Sequence, residues 1–150
     1  MHNEIKQILE AVKSGELPVD EALLKIKTQP FEDIGYAKVD LHRKVRQGAA
    51  EVIYGAGKTA EQIIGIADTL RTAGQETILI TRLSPEKAET IRETHPLSYH
   101  AEAKIGVIGV PPAPDGIGTV LIATGGTSDI PVAEEAALTA EVLGNRVTRL

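Results

Sequence analysis

Apolar positions at the start of the chain recur with a helical period. Ile5, Ile8, Leu9 and Val12 fall at i, i+3, i+4 and i+7, one stripe of an amphipathic helix. Ser14-Gly15 stops that helix, and Pro18 suits the first turn of a second one carrying Ala22, Leu23 and Ile26. So short a turn predicts an αα-hairpin over residues 1–30, read as a docking or tethering element without chemistry of its own. Pro30 closes it, because a residue before proline is pushed out of the α region. From Phe31 the period drops to two: Val39, Leu41 and Val45 fall on one face, Lys38, Asp40, His42, Lys44 and Arg46 on the other.

The period then switches repeatedly. Gln47-Gly48 is a turn, Ala50–Tyr54 a strand, and Gly55–Thr59 another turn. A helix follows from Ala60 to Ala73, with Ile63, Ile64, Ala67 and Leu70 on one stripe and Gly74 past its end. Ile78–Thr81 is a short apolar strand, and Ser84-Pro85 opens a helix to about Thr94. Residues 97–100 and 105–108 are further strands. The alternation predicts a small, mainly parallel α/β domain over residues 31–110. Pro111-Pro-Ala-Pro-Asp-Gly116 reads as a linker, and residues 117–150 as the first βαβ unit of an incomplete, flavodoxin-like domain.

Composition narrows the function classes. Of 150 residues, 42% are hydrophobic and 25% charged, enough for a packed core in a soluble chain. A net charge of −5 argues against nucleic acid as a partner, and 3% aromatics against a base-stacking surface. With no cysteine, disulfides, thiolate zinc sites and thiol catalysis are excluded within these residues. No apolar run reaches membrane-spanning length and no export segment is evident, so the expectation is a cytoplasmic protein without a membrane partner.

Four constellations carry possible chemistry. Gly55-Ala-Gly-Lys-Thr-Ala60 ends like a P-loop, but that motif needs glycine where Val52 stands. It also fits the dinucleotide pattern G-x-G-x-x-A, yet Thr81-Arg82 occupies the place of the ribose-binding acid. A tight turn, a phosphate contact and a dinucleotide site all remain open there. The face Lys38, Asp40, His42, Lys44 and Arg46, joined by Arg43, is either solvated edge protection or an anion groove. Tyr99, His100, Glu102 and Lys104 lack metal-ligand spacing, and no metal site is expected. The fourth is Thr124-Gly-Gly-Thr-Ser-Asp129, between an apolar strand and a helix with Pro131 in its first turn. Its glycines permit positive φ and close approach of a ligand, its hydroxyls donate, and Asp129 can cap the helix or bind ribose. A plain helix start is the alternative. Ala133, Ala136, Ala137 and Ala140 behind it predict a smooth packing stripe.

Gly126-Thr-Ser-Asp129, Pro131-Val-Ala-Glu-Glu-Ala-Ala137 and Leu143-Gly-Asn-Arg-Val147 resemble LarB, the nickel-pincer cofactor biosynthesis family, also known as circadian phase modifier or AIR carboxylase-like proteins. Ile34-Gly-Tyr-Ala-Lys-Val-Asp40, Arg43, Arg46-Gln-Gly48 and Glu51–Thr59 resemble the same family, so the likeness runs from about Phe31 to Leu150. The 126–129 turn alone also resembles the Gly-Ser-x-Ser-Asp turn of purine-pathway AIR carboxylases. The resemblance implies carboxylation of the pyridinium ring of nicotinic acid adenine dinucleotide by CO2 or bicarbonate. Hydrolysis of the phosphoanhydride accompanies it, giving a pyridinium-3,5-biscarboxylic acid mononucleotide and AMP. It implies substrate contacts from Gly126, Thr127, Ser128 and Asp129, and from Lys38, Asp40, Arg43 and Arg46. No cofactor is implied as tightly bound; Mg is a candidate ion.

The family's catalytic cysteine and glutamate are expected beyond Leu150, so no residue of this chain is assigned a catalytic role and the chain alone is expected to be inactive. One βαβ fragment leaves open strand edges and apolar helix faces. Residues 117–150 must therefore pack on the preceding domain, pack on another subunit, or stay partly mobile. The expectation is a truncated form that self-associates as a homo-oligomer. A non-catalytic nucleotide-sensing module is the competing function class.

Overall fold

A computed structural model describes residues 2–28, 31–41 and 50–150. The chain divides into two compact units, Met1–Gly48 and Ala49–Leu150. In the first, α1 (His2–Ser14) and α2 (Val19–Thr28) form the expected hairpin. Gly15 at φ +81° makes the turn, its N–H bonding Val12 O at 3.1 Å while the Glu16 N–H reaches back to Ala11 O at 3.0 Å. Ala22 is buried, but Leu9 and Leu23 on the same stripes are about half exposed. The unit also holds an antiparallel ladder of β1 (Phe31–Asp33) and β2 (Lys38–Asp40), with Phe31 opposite Asp40 and Asp33 opposite Lys38.

The second unit is built on a four-stranded sheet in the order β3 (Val52–Tyr54), β4 (Ile78–Thr81), β6 (Ile105–Ile108), β5 (Leu97–His100). Its α3 (Ala60–Thr72) starts at a complete capping box: Thr59 Oγ1 accepts from Gln62 N and Gln62 Oε1 accepts from Thr59 N. Its α4 (Pro85–Arg92) starts at Ser84 with proline in the first turn. The class is α/β, as the alternation of periods implies. The sheet is mixed, however, where a mainly parallel one was expected: β3–β4 is parallel, while β4–β6 and β6–β5 are antiparallel. Only the four residues 101–104 join β5 to β6, and a parallel crossover needs a dozen or more.

Each face of this sheet is covered. Ile53, Ile78, Ile80 and Ile108 lie on one face by strand alternation, and Ile63, Ile66, Leu70 and Ile91 of α3 and α4 supply its buried partners. Leu79, Val107 and Ile105 point the other way and form a core with Ala103 and Val142, against which Val52 and Leu138 pack. Val142 and Leu138 belong to α5 (Ile130–Val142), the helix of a parallel βαβ unit formed with β7 (Thr119–Ile122) and β8 (Arg146–Arg149). Of the three fates expected for residues 117–150, the structure shows packing on the preceding sheet. Residues 111–116 are exposed but tied down, the N–H groups of Asp115 and Gly116 bonding Gly144 O at 3.0 and 3.3 Å. The physical reason is the one that made isolation improbable: two strands cannot bury the apolar side of α5 alone.

Leu79 joins β4 to α5. Leu79→Ala is expected to lower stability by about 2–5 kcal/mol in urea unfolding. Amide exchange is expected to show α5 losing protection together with β4; loss confined to β4 would contradict this packing.

Candidate functional site

The turn after β7 is braced at its base. Leu150 N–H bonds Ile122 O at 2.8 Å and Thr124 N–H bonds Leu150 O at 3.2 Å, carrying the β7–β8 ladder past the last strand residue. The Thr124 hydroxyl donates to Gly126 O (3.1 Å) and accepts from Gly126 N (3.3 Å), closing a two-residue ring. Asp129 N–H then bonds Gly126 O at 3.0 Å, and Thr127–Asp129 makes a 3-10 turn that runs into α5.

Two expectations about this turn are corrected. Neither Gly125 nor Gly126 has positive φ; Gly126 sits in extended backbone at φ −153°, held there by the Thr124 hydroxyl. What the glycines supply is room. A Cβ on Gly125 would meet nothing within 4 Å. Asp129 makes no cap hydrogen bond either. Its backbone is already helical (φ −93°, ψ −12°), whereas a capping side chain reaches its amides from a β-region residue.

The result is an open cradle. Asp129 Oδ2 and Ser128 Oγ lie 3.7 and 3.8 Å from the Cβ position of Gly126, on one side of the turn. Thr127, Ser128 and Asp129 are exposed. Among the described residues, the Ser128 hydroxyl and the Asp129 carboxylate have no hydrogen-bond partner, nor do the Thr127 and Ser128 amides. The cradle therefore offers two amide donors, a hydroxyl and one carboxylate. That set suits an anion with an adjacent hydroxyl, as in a phosphorylated ribose.

Behind the cradle, α5 spends its carboxylates on the protein. Arg149 Nε bonds Glu134 at 2.9 Å and its Nη1 bonds Glu141 at 2.6 Å, the two glutamates standing seven residues apart on α5. This double carboxylate grip holds the Arg149 guanidinium well above its ordinary pKa. Glu135 pairs with Arg82 at 3.1 Å. Arg82 follows β4 in the left-handed region (φ 53°), so this pair sets the first half of α5 beside the carboxyl edge of that strand. The expected alanine stripe is only partly used: Ala137 is buried and Ala136 exposed, because Leu138 and Val142 define the face toward the sheet.

The other candidates resolve as follows. Lys38 and Asp40 share one face of β2, opposite the buried Val39, with Lys38 exposed and Asp40 half-buried. Arg43 and Arg46, with His42 and Lys44, lie outside the described residues. At Gly55-Ala-Gly-Lys-Thr59 the structure builds a tight turn. A Cβ on Gly55 would lie 2.9 Å from Thr81 O, and Gly57 has φ +76°. The α3 amides are already served by Thr59 and by the Glu61 carboxylate. Among the described residues, no three His, Asp or Glu side chains gather as for a metal, and no helix is long and apolar enough to cross a membrane. Sequence patterning missed the Arg149 clamp and Arg82, since neither carries a local motif.

Comparison with known proteins adds the family. The model of LarB/PurE-like N-terminal domains matches residues 31–110. An uncharacterized protein of Methanocaldococcus jannaschii is 35% identical over 153 residues, covering 96% of this chain. The chain spans 59% of that relative's length.

Glu61 and Glu86 sit at the starts of α3 and α4. Backbone and Thr59 hydrogen bonds hold Glu61 below the usual carboxylate pKa; the Ser84 hydroxyl and backbone do the same for Glu86. Their capping contribution is complete above the ordinary carboxylate pKa of about 4.3 and fades as pH falls through the lower folded-state value. NMR titration should give both midpoints below that of a peptide glutamate, and Ser84→Ala should raise that of Glu86 but not that of Glu61.

Proposed function

Because the chain belongs to the family of LarB/PurE-like N-terminal domains, we propose that it is the nucleotide-binding portion of a carboxylase acting on nicotinic acid adenine dinucleotide. In this reading the intact protein replaces a ring C–H by a C–carboxylate bond using CO2 or bicarbonate. It also hydrolyses the phosphoanhydride to release AMP, and the pyridinium biscarboxylate mononucleotide goes on to a nickel-pincer cofactor. The observation that carries the binding role is the open cradle at 126–129. Its Thr127 and Ser128 amides and Ser128 hydroxyl would hold a phosphate or carboxylate oxygen, and Asp129 would accept from a ribose hydroxyl. Lys38 and Asp40, with Arg43 and Arg46, would give the first unit its own contacts to the same ligand class. Mg, if it takes part, would arrive on phosphate oxygens with Asp129 as one carboxylate ligand. No side chain here can supply a thiolate, so covalent activation of the ring would fall to residues outside these 150.

Calorimetry with nicotinic acid adenine dinucleotide, NAD and AMP tests this. Binding is expected for the first, weakened by roughly 5- to 30-fold in Ser128→Ala or Asp129→Asn, the size of one or two charge-assisted hydrogen bonds. Absence of binding by all three nucleotides would sink the assignment. We also propose a homo-oligomer joined through residues 117–150, where Leu121, Val132 and Leu143 are 58%, 62% and 41% exposed. Sedimentation should show more than one copy per particle, and Val132→Glu should shift it toward monomer; a strictly monomeric wild type contradicts the proposal.

A further inference from the structure

Both sides of the 126–129 turn are tied to one residue, Arg149. On the strand side, Arg149 stands opposite Ile122 in the β7–β8 ladder, and the residue after it carries the ladder into the turn. Leu150 N–H bonds Ile122 O at 2.8 Å, and Leu150 O accepts from Thr124 N–H at 3.2 Å. The Thr124 hydroxyl in turn holds Gly126 through both its N–H and its carbonyl. On the helix side, the Arg149 side chain reaches Glu134, whose two carboxylate oxygens accept from Nε at 2.9 and 3.1 Å. Glu134 stands one turn after Ile130, about 6 Å along α5, and the 3-10 turn Thr127–Asp129 runs straight into that first turn.

The remaining donors, Nη1 and Nη2, go to the Glu141 carboxylate at 2.6 and 3.1 Å. Glu141 lies near the far end of α5, about 16 Å along the axis from Ile130. The two glutamates therefore share one guanidinium but differ in what they can position, and only Glu134 acts beside the turn. The double hold needs the planar fork of arginine; an ammonium is a point charge without fixed geometry. Arg149, Glu134 and Glu141 are 38%, 26% and 36% exposed, so these pairs add little to stability and act mainly by fixing geometry. Arg82 on Glu135, the other anchor of this half of α5, comes from the end of β4 and ties the helix to the sheet, not to the strand side of the turn.

We propose that Arg149 is the positioning residue of the 126–129 cradle. Through Leu150 and Thr124 it sets the strand side of the turn, and through Glu134 the helix side, so the Thr127 and Ser128 amides and the Ser128 and Asp129 side chains keep a fixed spacing. Arg149 acts through these groups and not by contact with a ligand. The clasp rests on the proposed function only for the identity of what the cradle holds.

Amide exchange of the 15N-labelled chain tests it in Glu134→Gln, Glu141→Gln and Arg149→Lys. Glu134→Gln is expected to speed exchange at Gly126 and Asp129 by about threefold or more, the size of one partly screened ion pair, and Arg149→Lys to do the same and extend it to Thr124. Glu141→Gln removes the same charge from the same guanidinium; it is expected to lower the melting temperature by a similar amount and leave these amides unchanged. Equal acceleration in the two glutamine variants, or unchanged exchange in a folded Arg149→Lys, would overturn the inference. Calorimetry with nicotinic acid adenine dinucleotide gives a second readout, with affinity expected to fall in Glu134→Gln and Arg149→Lys and to hold in Glu141→Gln. If the wild-type chain binds no nucleotide, the proposed function falls and the exchange rates alone decide for or against the clasp.

Discussion

The seating of α5 on the four-stranded sheet is the constraint on which the second unit depends. Leu138 and Val142 enter a core with Leu79 and Val107, each such side chain contributing about 1.5–3 kcal/mol when taken from water. Without that seat, the βαβ unit of β7, α5 and β8 would have two strands and no cover. With it, the Glu135–Arg82 pair sets the first half of α5 at the carboxyl edge of β4. At 1.5 Å per residue, Ile130 lies about 7.5 Å from Glu135 along the helix axis. The packing that stabilises residues 117–150 therefore also decides where their polar turn is presented.

Charge in this unit is divided between structure and solvent in an uneven way. The three glutamates of α5 are committed to Arg149 and Arg82, while Val132, Ala136 and Leu143 face outward. Glu61 and Glu86 are committed to helix starts. Partly exposed ion pairs add little stability, so the main effect of this distribution is placement: which side chains are held and which are free to meet a ligand.

Much of the framework was legible locally. The capping box at Thr59, the Ser84-Pro85 start and the glycine stop of α1 are short-range rules and act wherever they occur. The cradle was legible as a strand–turn–helix with glycines and hydroxyls. Its detail was not: positive φ at Gly126 gave way to the hydrogen-bonded ring made by Thr124, and a cap from Asp129 gave way to the helical backbone of that residue. Strand direction failed for a similar reason. Apolar runs of four residues look alike in parallel and antiparallel sheets, and only the shortness of the 101–104 connection separates them.

By itself the sequence determined the helices, most of the strands, the family pattern over residues 31–110 and the strand–turn–helix form of residues 119–142. These depend on periodicity, capping and side-chain chemistry, all readable within a few residues. Only the tertiary structure decided that residues 117–150 pack on the sheet and that Arg149 binds two glutamates. Those outcomes join residues far apart in the chain, and no local pattern records which distant partner will win.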